Sequence, residues 1–398
     1  MSQPTILCLA SYFKGEAFMR QAKKEGAKVF LLTEEKIAHE KWPRESLDEV
    51  FLMPDMTKVQ DMIYAISYLF RANKIDQIVA LDEYDVENVA TLREHLRLSG
   101  MGQSHTRYFR DKLAMRMRAN ANGIRVPRFT SVFNYDTIRE YMDAVPAPWV
   151  LKPRTEASTM GIKKINNSEE LWRWFDQLGD QQSSFLLEQF VPGDVYHVDS
   201  VIWDGKIVFS SSQKYGKPPL SIYHDGGIFT TQTLSPKSKD ANALKSINAE
   251  MVKSQGMERG VTHAEFIKGH ADGEMYFLEV AARVGGANIS DLIEYSTGVN
   301  PWAEWAKVEI AAIRGETYKP PKPVQKYGGL INTLARQEHP DMSAYNDPEV
   351  VWKADKKDHA GLIVVSDKVE RVNELLDSYV QRFSNDFLAV ATPKESAH

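Results

Sequence analysis

The sequence predicts an α/β protein built from two or three packed subdomains. Its 398 residues exceed the length that one hydrophobic core usually serves. Short apolar runs alternate with amphipathic stretches over the first hundred or so residues, and this alternation predicts a parallel sheet covered by helices. Hydrophobic residues at 43% and charged residues at 26% are ordinary for a globular protein, which excludes a disordered or fibrous chain.

The N-terminal elements follow from this alternation. We predict strands at 6–9, 28–32 and 77–80, with helices at 15–25 and 58–72. No G-x-G-x-x-G motif follows the first strand, so nothing here indicates dinucleotide binding. We therefore expect a supporting domain.

The middle of the chain changes from mixed to strand-rich patterns. The predicted helices are 111–122, 169–177, 244–257 and 300–313. The predicted strands are 149–153, 184–189, 198–203, 207–211, 261–267 and 274–281, with a tight turn at Asp204-Gly205. Prolines at 320, 321 and 323 then mark a linker. A strand at 361–365, a helix at 370–383 and a final strand at 387–391 predict a small α/β cap.

Composition excludes several classes of partner. The net charge is −5 without a dense Lys/Arg block, so we expect neither nucleic acid nor an anionic membrane as a partner. The only cysteine, Cys8, cannot form an internal disulfide, which fits a reducing cytosol. Residues 5–10 predict a strand and not a signal peptide, and no segment is apolar enough to span a membrane.

Lys152 ends an apolar predicted strand, which would hold its ammonium at a sheet edge facing a cleft. Polyphosphates bind to such point charges together with unpaired backbone N–H groups. The loop 154–161 follows and would supply those groups through Ser158, Thr159 and Gly161. An ordinary exposed hairpin loop is the alternative, and this motif alone favours neither strongly.

The next candidate segment is a strand that stops at a turn. It comprises Glu188, Gln189, Phe190 and Val191, followed by Pro192-Gly193 and then Asp194. Such a strand end leaves backbone N–H and C=O groups free to contact an adenine edge, and Asp194 could accept hydrogen bonds from ribose hydroxyls. Many strands end this way, so the pattern is weak by itself.

Two glutamates give a geometric argument. A three-residue hairpin loop at 271–273, ending in Gly273, would place His270 opposite Glu274 and Glu265 opposite Glu279. Opposed carboxylates about 5 Å apart repel each other unless a cation lies between them. Mg²⁺ uses one or two carboxylates plus phosphate oxygens, so the register predicts a magnesium site. A shift of one residue would instead separate the two side chains.

Arg283 follows Glu279 and precedes Gly285-Gly286. A guanidinium there could hold a carboxylate or a transferring phosphoryl group, and the glycines let the backbone approach a ligand. A surface arginine is the alternative.

These clusters, in this order, resemble the ATP-grasp superfamily over nearly the whole chain. The matching segments are Phe109-Arg110-Asp111-Lys112, Val150-Leu151-Lys152-Pro153, Leu187-Glu188-Gln189-Phe190-Val191 with Gly193-Asp194, His263-Ala264-Glu265-Phe266 and Leu278-Glu279-Val280-Ala281-Ala282-Arg283. The resemblance implies a Rossmann-like domain at 1–112, an ATP-grasp domain at 113–318 with a lid at about 125–190, and an α/β cap at 319–398.

The resemblance also implies the site. Lys112 and Lys152 would contact ATP phosphates, residues 188–194 would contact adenine and ribose, and Glu265 and Glu279 would bind Mg²⁺, or Mn²⁺ in its place. Two features depart from the family: the loop 154–161 is poor in glycine, and Ala281 stands where an asparagine is frequent.

The predicted function is a carboxylate–amine ligase that works through an acyl phosphate, with Lys152 and Arg283 as catalytic residues. Residues 285–289, Gly-Gly-Ala-Asn-Ile, resemble the amino-acid-ligase branch. Lys214-Tyr215 and residues 224–227 are expected to border the acceptor pocket, with a plain surface hairpin as the alternative. The substrates are expected to be a small-molecule carboxylate and an amine. A homodimer is the candidate assembly.

Two other functions stay open. A carboxylase or purine-pathway relative would activate bicarbonate or formate, although the Gln-Val-Glu that usually follows the arginine in biotin-dependent carboxylases is Val284-Gly285-Gly286 here. A catalytically silent ATP-binding module is the third reading, and the presence of both lysines, both glutamates and the arginine counts against it.

Overall fold

The computed structural model describes residues 3–157, 159–220, 222 and 227–389. These residues form three sheets with helices packed against them, and the predicted α/β fold class is confirmed. Short 3₁₀ helices connect several elements, at Glu35–Ile37, Arg44–Ser46, Glu83–Asp85, Arg107–Phe109 and Gly179–Ser184.

The N-terminal part is a parallel sheet, as predicted. Its strands are β1 (Thr5–Ala10), β2 (Lys28–Glu34), β3 (Glu49–Met53) and β4 (Gln77–Ala80), in the order β3-β2-β1-β4. Its helices are α1 (Glu16–Lys24), α2 (Val59–Phe70), α3 (Val86–Leu96) and the single turn α4 (Gln103–Thr106). No prediction covered β3, because this edge strand is short and mostly not buried, so it lacks a clear apolar run.

The second sheet is antiparallel and carries the first candidate lysine. Its strands are β5 (Phe129–Ser131), β6 (Trp149–Pro153), β7 (Lys163–Ile165) and β8 (Phe185–Gln189), in the order β5-β8-β6-β7. The helices of this region are α5 (Lys112–Ala121), α6 (Tyr135–Ala144) and α7 (Ser168–Leu178). Apolar residues of α6 and α7 pack on one face of the sheet, around Trp149 and Leu151.

The third sheet has eight antiparallel strands. They are β9 (Gly193–Trp203), β10 (Lys206–Tyr215), β11 (Phe229–Thr233), β12 (Gly260–Gly269), β13 (Met275–Ala281), β14 (Tyr327–Leu334), β15 (Val350–Lys353) and β16 (His359–Ser366). Their order is β13-β12-β9-β10-β11-β14-β16-β15. Further helices are α8 (Lys239–Gln255), α9 (Ile289–Thr297), α10 (Pro301–Arg314) and α11 (Val369–Asp386).

The strands of the expected cap continue this large sheet, because β14 pairs with β11. The predicted final strand at 387–391 is wrong over its described part. α11 continues to Asp386, Phe387 is buried against Phe383, and Leu388 makes only an isolated bridge to Ala335. Residues 390 and 391 lie outside the described residues.

The main core joins the parallel sheet to the large sheet. Buried side chains of α1 and α10 lie between them, and the rings of Phe18 and Trp305 meet edge to face at 5.2 Å. In the described part of the chain, every helix is too short or too polar to cross a lipid bilayer.

Candidate active site

A cleft of about 1060 Å³ lies between the second and third sheets. One wall carries Lys152, Glu188 and the segment that ends β8, and the other carries Glu265, Ile267 and Glu279. The structure therefore brings together residues more than a hundred positions apart that the sequence predicted for one site.

Lys152 lies on the cleft side of β6 in a buried ion-pair cluster. Its ammonium contacts the carboxylate of Glu188, which also accepts a hydrogen bond from Arg116 Nε at 3.1 Å. Burial lowers the pKa of Lys152, and Glu188 opposes that effect. Burial alone would raise the pKa of Glu188, but Arg116 and Lys152 hold it below its ordinary value. The cluster keeps a cation next to the cleft.

The loop after β6 closes one end of the cleft. Thr159 and Gly161 both have left-handed backbone angles, with φ of 60° and 69°. Thr159 lines the cleft, as does Glu156. Ser158, a third predicted contact in this loop, lies outside the described residues.

Lys112 connects this loop to Glu279 on β13. It is the first residue of α5, which Asp111 caps by accepting from the N–H of Leu113 at 3.0 Å. The ammonium of Lys112 donates to the carbonyl of Glu156 at 2.6 Å and lies 3.0 Å from Glu279 Oε2. A cation on a capped helix end thus bridges loop and sheet.

The end of β8 is only partly available to a ligand. The N–H of Gln189 donates to the carbonyl of Arg128, and that of Phe190 donates to the carbonyl of Pro148. The residues at this strand end, Glu188, Gln189, Phe190 and Val191, nevertheless all line the cleft.

Asp194 does not reach the cleft. Gly193 and Val195 line it, and alternate residues of a strand face opposite sides. The Asp194 carboxylate instead accepts from Lys214 Nζ at 2.8 Å, which lowers its pKa. The prediction that Asp194 contacts the ribose is therefore wrong, because the alternation of side chains along β9 places its carboxylate on the face away from the cleft.

The predicted opposition of Glu265 and Glu279 is confirmed by the strand register. The hairpin that joins them differs from the prediction, because Gly269, and not His270, pairs with Glu274. A bulge at Leu278 inserts one residue into β13 and restores the register. Both carboxylates line the cleft.

Glu265 is held by neighbours that the sequence did not indicate. Tyr215 donates to Glu265 Oε1 at 2.8 Å, and His263 Nε2 lies 3.6 Å from the same atom. Tyr215 had been expected only to border the acceptor pocket.

A buried His-Asp-His cluster, formed by His197, Asp199 and His263, lies beside Glu265. Nδ1 of each imidazole contacts one oxygen of Asp199, at 2.8 and 2.9 Å. Burial works against charge on His263, but Asp199 raises its pKa to about 9, whereas burial lowers the pKa of His197. The three residues could hold a metal ion by type and spacing, but their ligand atoms already bond to one another. They support the carboxylate next to them.

Arg283 is fixed by a carboxylate from the N-terminal part. Its Nε donates to Glu83 Oε2 at 3.0 Å, and Arg110 Nη1 donates to Glu83 Oε1 at 3.0 Å. Burial would raise the pKa of Glu83, but Arg283 and Arg110 lower it to about 2. No role for Glu83 was predicted from the sequence. Its position just after β4 could have indicated one, because ligand-binding residues often lie at the carboxyl ends of the strands of parallel sheets.

A second cavity of about 1080 Å³ adjoins the cleft. Both are lined by Lys112, Thr159, Glu265 and Glu279, so the proposed metal carboxylates face both spaces. The second cavity adds Arg283 and Glu83, with other lining residues Tyr215, Phe229, His263, Gly286 and Ala287. Among the residues expected to border the acceptor pocket, Tyr215 lines this cavity, whereas residues 224–226 lie outside the described part of the chain.

The chain is similar to known proteins in both sequence and fold. Residues 145–291 match the ATP-grasp domain. The chain is 24% identical over 270 residues to an L-arginine-specific L-amino acid ligase of Bacillus subtilis, which covers 66% of this chain and 64% of the relative. It is 25% identical over 274 residues to an alanine–anticapsin ligase of Bacillus subtilis strain 168, which covers 61% and 55%. The chain thus spans less than two thirds of either relative.

Two solved structures share the fold along almost the whole chain. An L-amino acid ligase from Bacillus licheniformis superposes with a TM-score of 0.76 at 15% identity, over 98% of this chain and all of that one. An N5-carboxyaminoimidazole synthetase from Staphylococcus aureus, complexed with ADP, gives 0.71 at 19% identity, over 94% and 96%. Residues 145–291 of this chain therefore match an ATP-grasp domain, and the chain as a whole shares the fold of these two solved structures.

Proposed function

We propose that this protein is an ATP-dependent ligase that joins the carboxylate of an amino acid to an amine through an acyl phosphate. The observation that carries the proposal is the shared boundary of the two cavities, where Lys112, Glu265 and Glu279 face both. A phosphoryl group held there would lie between a nucleotide in the cleft and an acid in the second cavity. The names of the relatives, both amino acid ligases, support the same reaction.

The cleft fits a nucleotide. Lys152 and Lys112 supply cations on its two walls, and the end of β8 supplies backbone groups for a base. A related fold in the Staphylococcus aureus synthetase carries ADP, which supports the same ligand here.

Two carboxylates at the cleft boundary fit magnesium, or manganese in its place. Glu265 and Glu279 are directly opposed, and in the structure nearby cations, Lys112 and His263, offset their charge. Oxygen ligands of this kind suit a hard divalent cation. When bound there, the metal would supply charge stabilisation to the phosphates of the nucleotide.

The second cavity fits a zwitterion. Arg283 offers a guanidinium for a carboxylate, and Glu83 beside it offers a carboxylate for an ammonium. A bare anion such as bicarbonate would use only the first of these groups. This pairing supports an amino acid as the acid that is activated.

The chain's own residues would act by position and charge. A carboxylate oxygen of the acid attacks the γ-phosphorus, the bond to the β,γ-bridging oxygen breaks, and ADP leaves. Lys112 and Arg283 would stabilise charge on the transferring group. The amine nitrogen then attacks the acyl carbon and phosphate leaves, and the amine releases its proton.

An isotope experiment tests this reaction. The acid's carboxylate is labelled with ¹⁸O, and the products are analysed by mass spectrometry. We expect one ¹⁸O in inorganic phosphate, with ADP as the nucleotide product. Label in AMP would contradict the acyl phosphate route. ATP turnover that needs bicarbonate and no amino acid would favour the carboxylating alternative.

A further inference from the structure

The charged side chains of the second cavity are already matched to one another. Glu83 pairs with Arg283, Lys112 pairs with Glu279, and His263 pairs with Asp199. Glu265 accepts a hydrogen bond from Tyr215. These pairs lie together at the end of the cavity where we propose that the carboxylate and ammonium of the amino acid and the transferring phosphoryl group bind.

Most of the other described residues that line the cavity are apolar. They come from strand ends, a loop and the amino end of a helix: Tyr215, Pro219, Ile222, Phe229, Ala287 and Ile289. The rings of Tyr215 and Phe229 meet at 5.5 Å, nearly edge to face. These residues form a surface suited to an aliphatic or aromatic side chain.

This apolar surface is fixed in place. Tyr215 is buried and donates to Glu265, so its ring cannot turn away without breaking that bond. On the facing side, Asn332 of β14 donates to the carbonyl of Ala287 at 2.8 Å. β14 also pairs with β11, so the same strand holds Phe229 opposite the loop that carries Ala287.

We propose that the amino acid activated here has an apolar side chain, aromatic or branched, that packs against Tyr215, Phe229 and Ile289. This inference rests on the proposed function and adds the substrate class. A charged side chain placed there would lose its water without gaining an ion partner from the described residues. An apolar one would bury its surface against aromatic rings.

The test separates the acid from the unidentified amine. Hydroxylamine replaces the amine and converts any acyl phosphate into a hydroxamate, which is measured together with ADP. The acids are L-Phe, L-Leu and L-Met against L-Arg, L-Lys, L-Asp and L-Glu, each offered alone. We expect kcat/KM to be about tenfold or more higher for the apolar set, the scale on which an apolar pocket discriminates.

The outcomes distinguish the two levels of the proposal. Hydroxamate from charged acids in preference to apolar ones overturns the substrate class and leaves the ligase reaction standing. No hydroxamate from any amino acid, with ATP turnover on bicarbonate instead, overturns the proposed function and this inference with it.

Variants of Phe229 test the surface itself. Phe229→Ala should lower kcat/KM for L-Phe about tenfold more than for L-Ala, because only the larger side chain reaches the ring. Phe229→Glu should move the preference toward L-Lys and L-Arg by supplying an anion. Trp352→Ala is the matched control, a partly buried aromatic on β15 at the far edge of the same sheet. If Phe229→Ala folds and leaves the ratio of L-Phe to L-Ala unchanged, the surface is not the side-chain pocket.

Discussion

At the residue scale, Lys152 offers a direct test of the cleft. Removing its ammonium leaves Glu188 paired with Arg116, so Lys152→Ala should fold. We expect ATP binding to fall below detection in calorimetry, because a buried cation next to the cleft is lost. Lys163→Ala, on the neighbouring strand β7, should bind ATP normally. Unchanged ATP affinity in folded Lys152→Ala would remove this lysine from the site.

A second residue, Asp85, sets a pH dependence that is independent of catalysis. It is fully buried, its carboxyl contacts the N–H of Ser11 at 2.8 Å, and burial raises its pKa from 3.8 to about 7. The folded chain therefore keeps this proton up to about pH 7, whereas the unfolded chain loses it near pH 4. Between these values the unfolded state binds fewer protons, so the free energy of unfolding falls as the pH rises.

Asp85→Asn should remove that fall. The amide resembles the protonated acid, since its oxygen can accept from the Ser11 N–H and its NH₂ can donate to the Ser11 hydroxyl. Relative to wild type, we expect the variant to gain up to about 4 kcal/mol between pH 4 and pH 8, the limit set by the difference in pKa. Thermal melts of both proteins across this range measure it. If the difference in stability between wild type and Asp85→Asn stayed the same across this pH range, Asp85 would be ionised in the folded state.

At the element scale, the β13–α9 connection depends on one glycine. A Cβ on Gly285 would lie 2.6 Å from Asp199 Oδ1 and 3.0 Å from His263 Nδ1, which are members of the buried His-Asp-His cluster. Gly286 next to it has open space at the same position. Gly285→Ala should therefore lower the free energy of unfolding by about 1–3 kcal/mol, the range for overpacking a buried site.

The same substitution should reduce turnover more than ATP affinity, because the cluster contacts Glu265 and not the end of β8, where we propose that the base binds. Chemical denaturation and calorimetry measure the two effects, with Gly286→Ala as the stability control. Equal stability of the two variants would mean that the cluster moves aside without cost.

The hairpin shows what element-level prediction from sequence can achieve here. The opposition of Glu265 and Glu279 was predicted correctly, although the assumed loop was one residue too short. The bulge at Leu278 offset the error, and a bulge of this kind has no glycine or proline signal in the sequence. The ribose contact predicted for Asp194 was wrong for a related reason. β9 begins at Gly193, so the alternation of side chains places the Asp194 carboxylate on the face away from the cleft.

At the scale of the whole molecule, the alternation of apolar runs and amphipathic stretches correctly predicted a parallel sheet in the N-terminal part. Apolar runs later in the chain correctly predicted most strands of the large sheet. The buried His-Asp-His cluster could not be predicted, because Asp199 and His263 meet only through the pairing of β9 with β12. Glu83 and Arg283 are 200 positions apart, and only the packing of the N-terminal part on the large sheet joins them.

Glu83 links three distant segments of the chain, which makes it a test of how the molecule holds together. It follows β4, it accepts from Arg110 just before α5, and it accepts from Arg283 just after β13. Both arginines are largely buried, so Glu83→Gln would leave two cations facing a neutral group. Breaking a buried pair in this way costs about 3–5 kcal/mol.

We therefore expect Glu83→Gln to lower the free energy of unfolding by that amount and to raise the amino acid concentration needed for turnover. ATP affinity should change little, because Glu83 lines the second cavity and not the cleft. Glu87→Gln is the control, since Glu87 lies 3.9 Å from Arg110 and is half exposed, where an ion pair contributes little. Denaturation and ADP release at varied amino acid concentration measure both effects. A variant as stable as wild type, with unchanged amino acid dependence, would show that the arginines are held by other groups and that Glu83 takes no part in binding the acid.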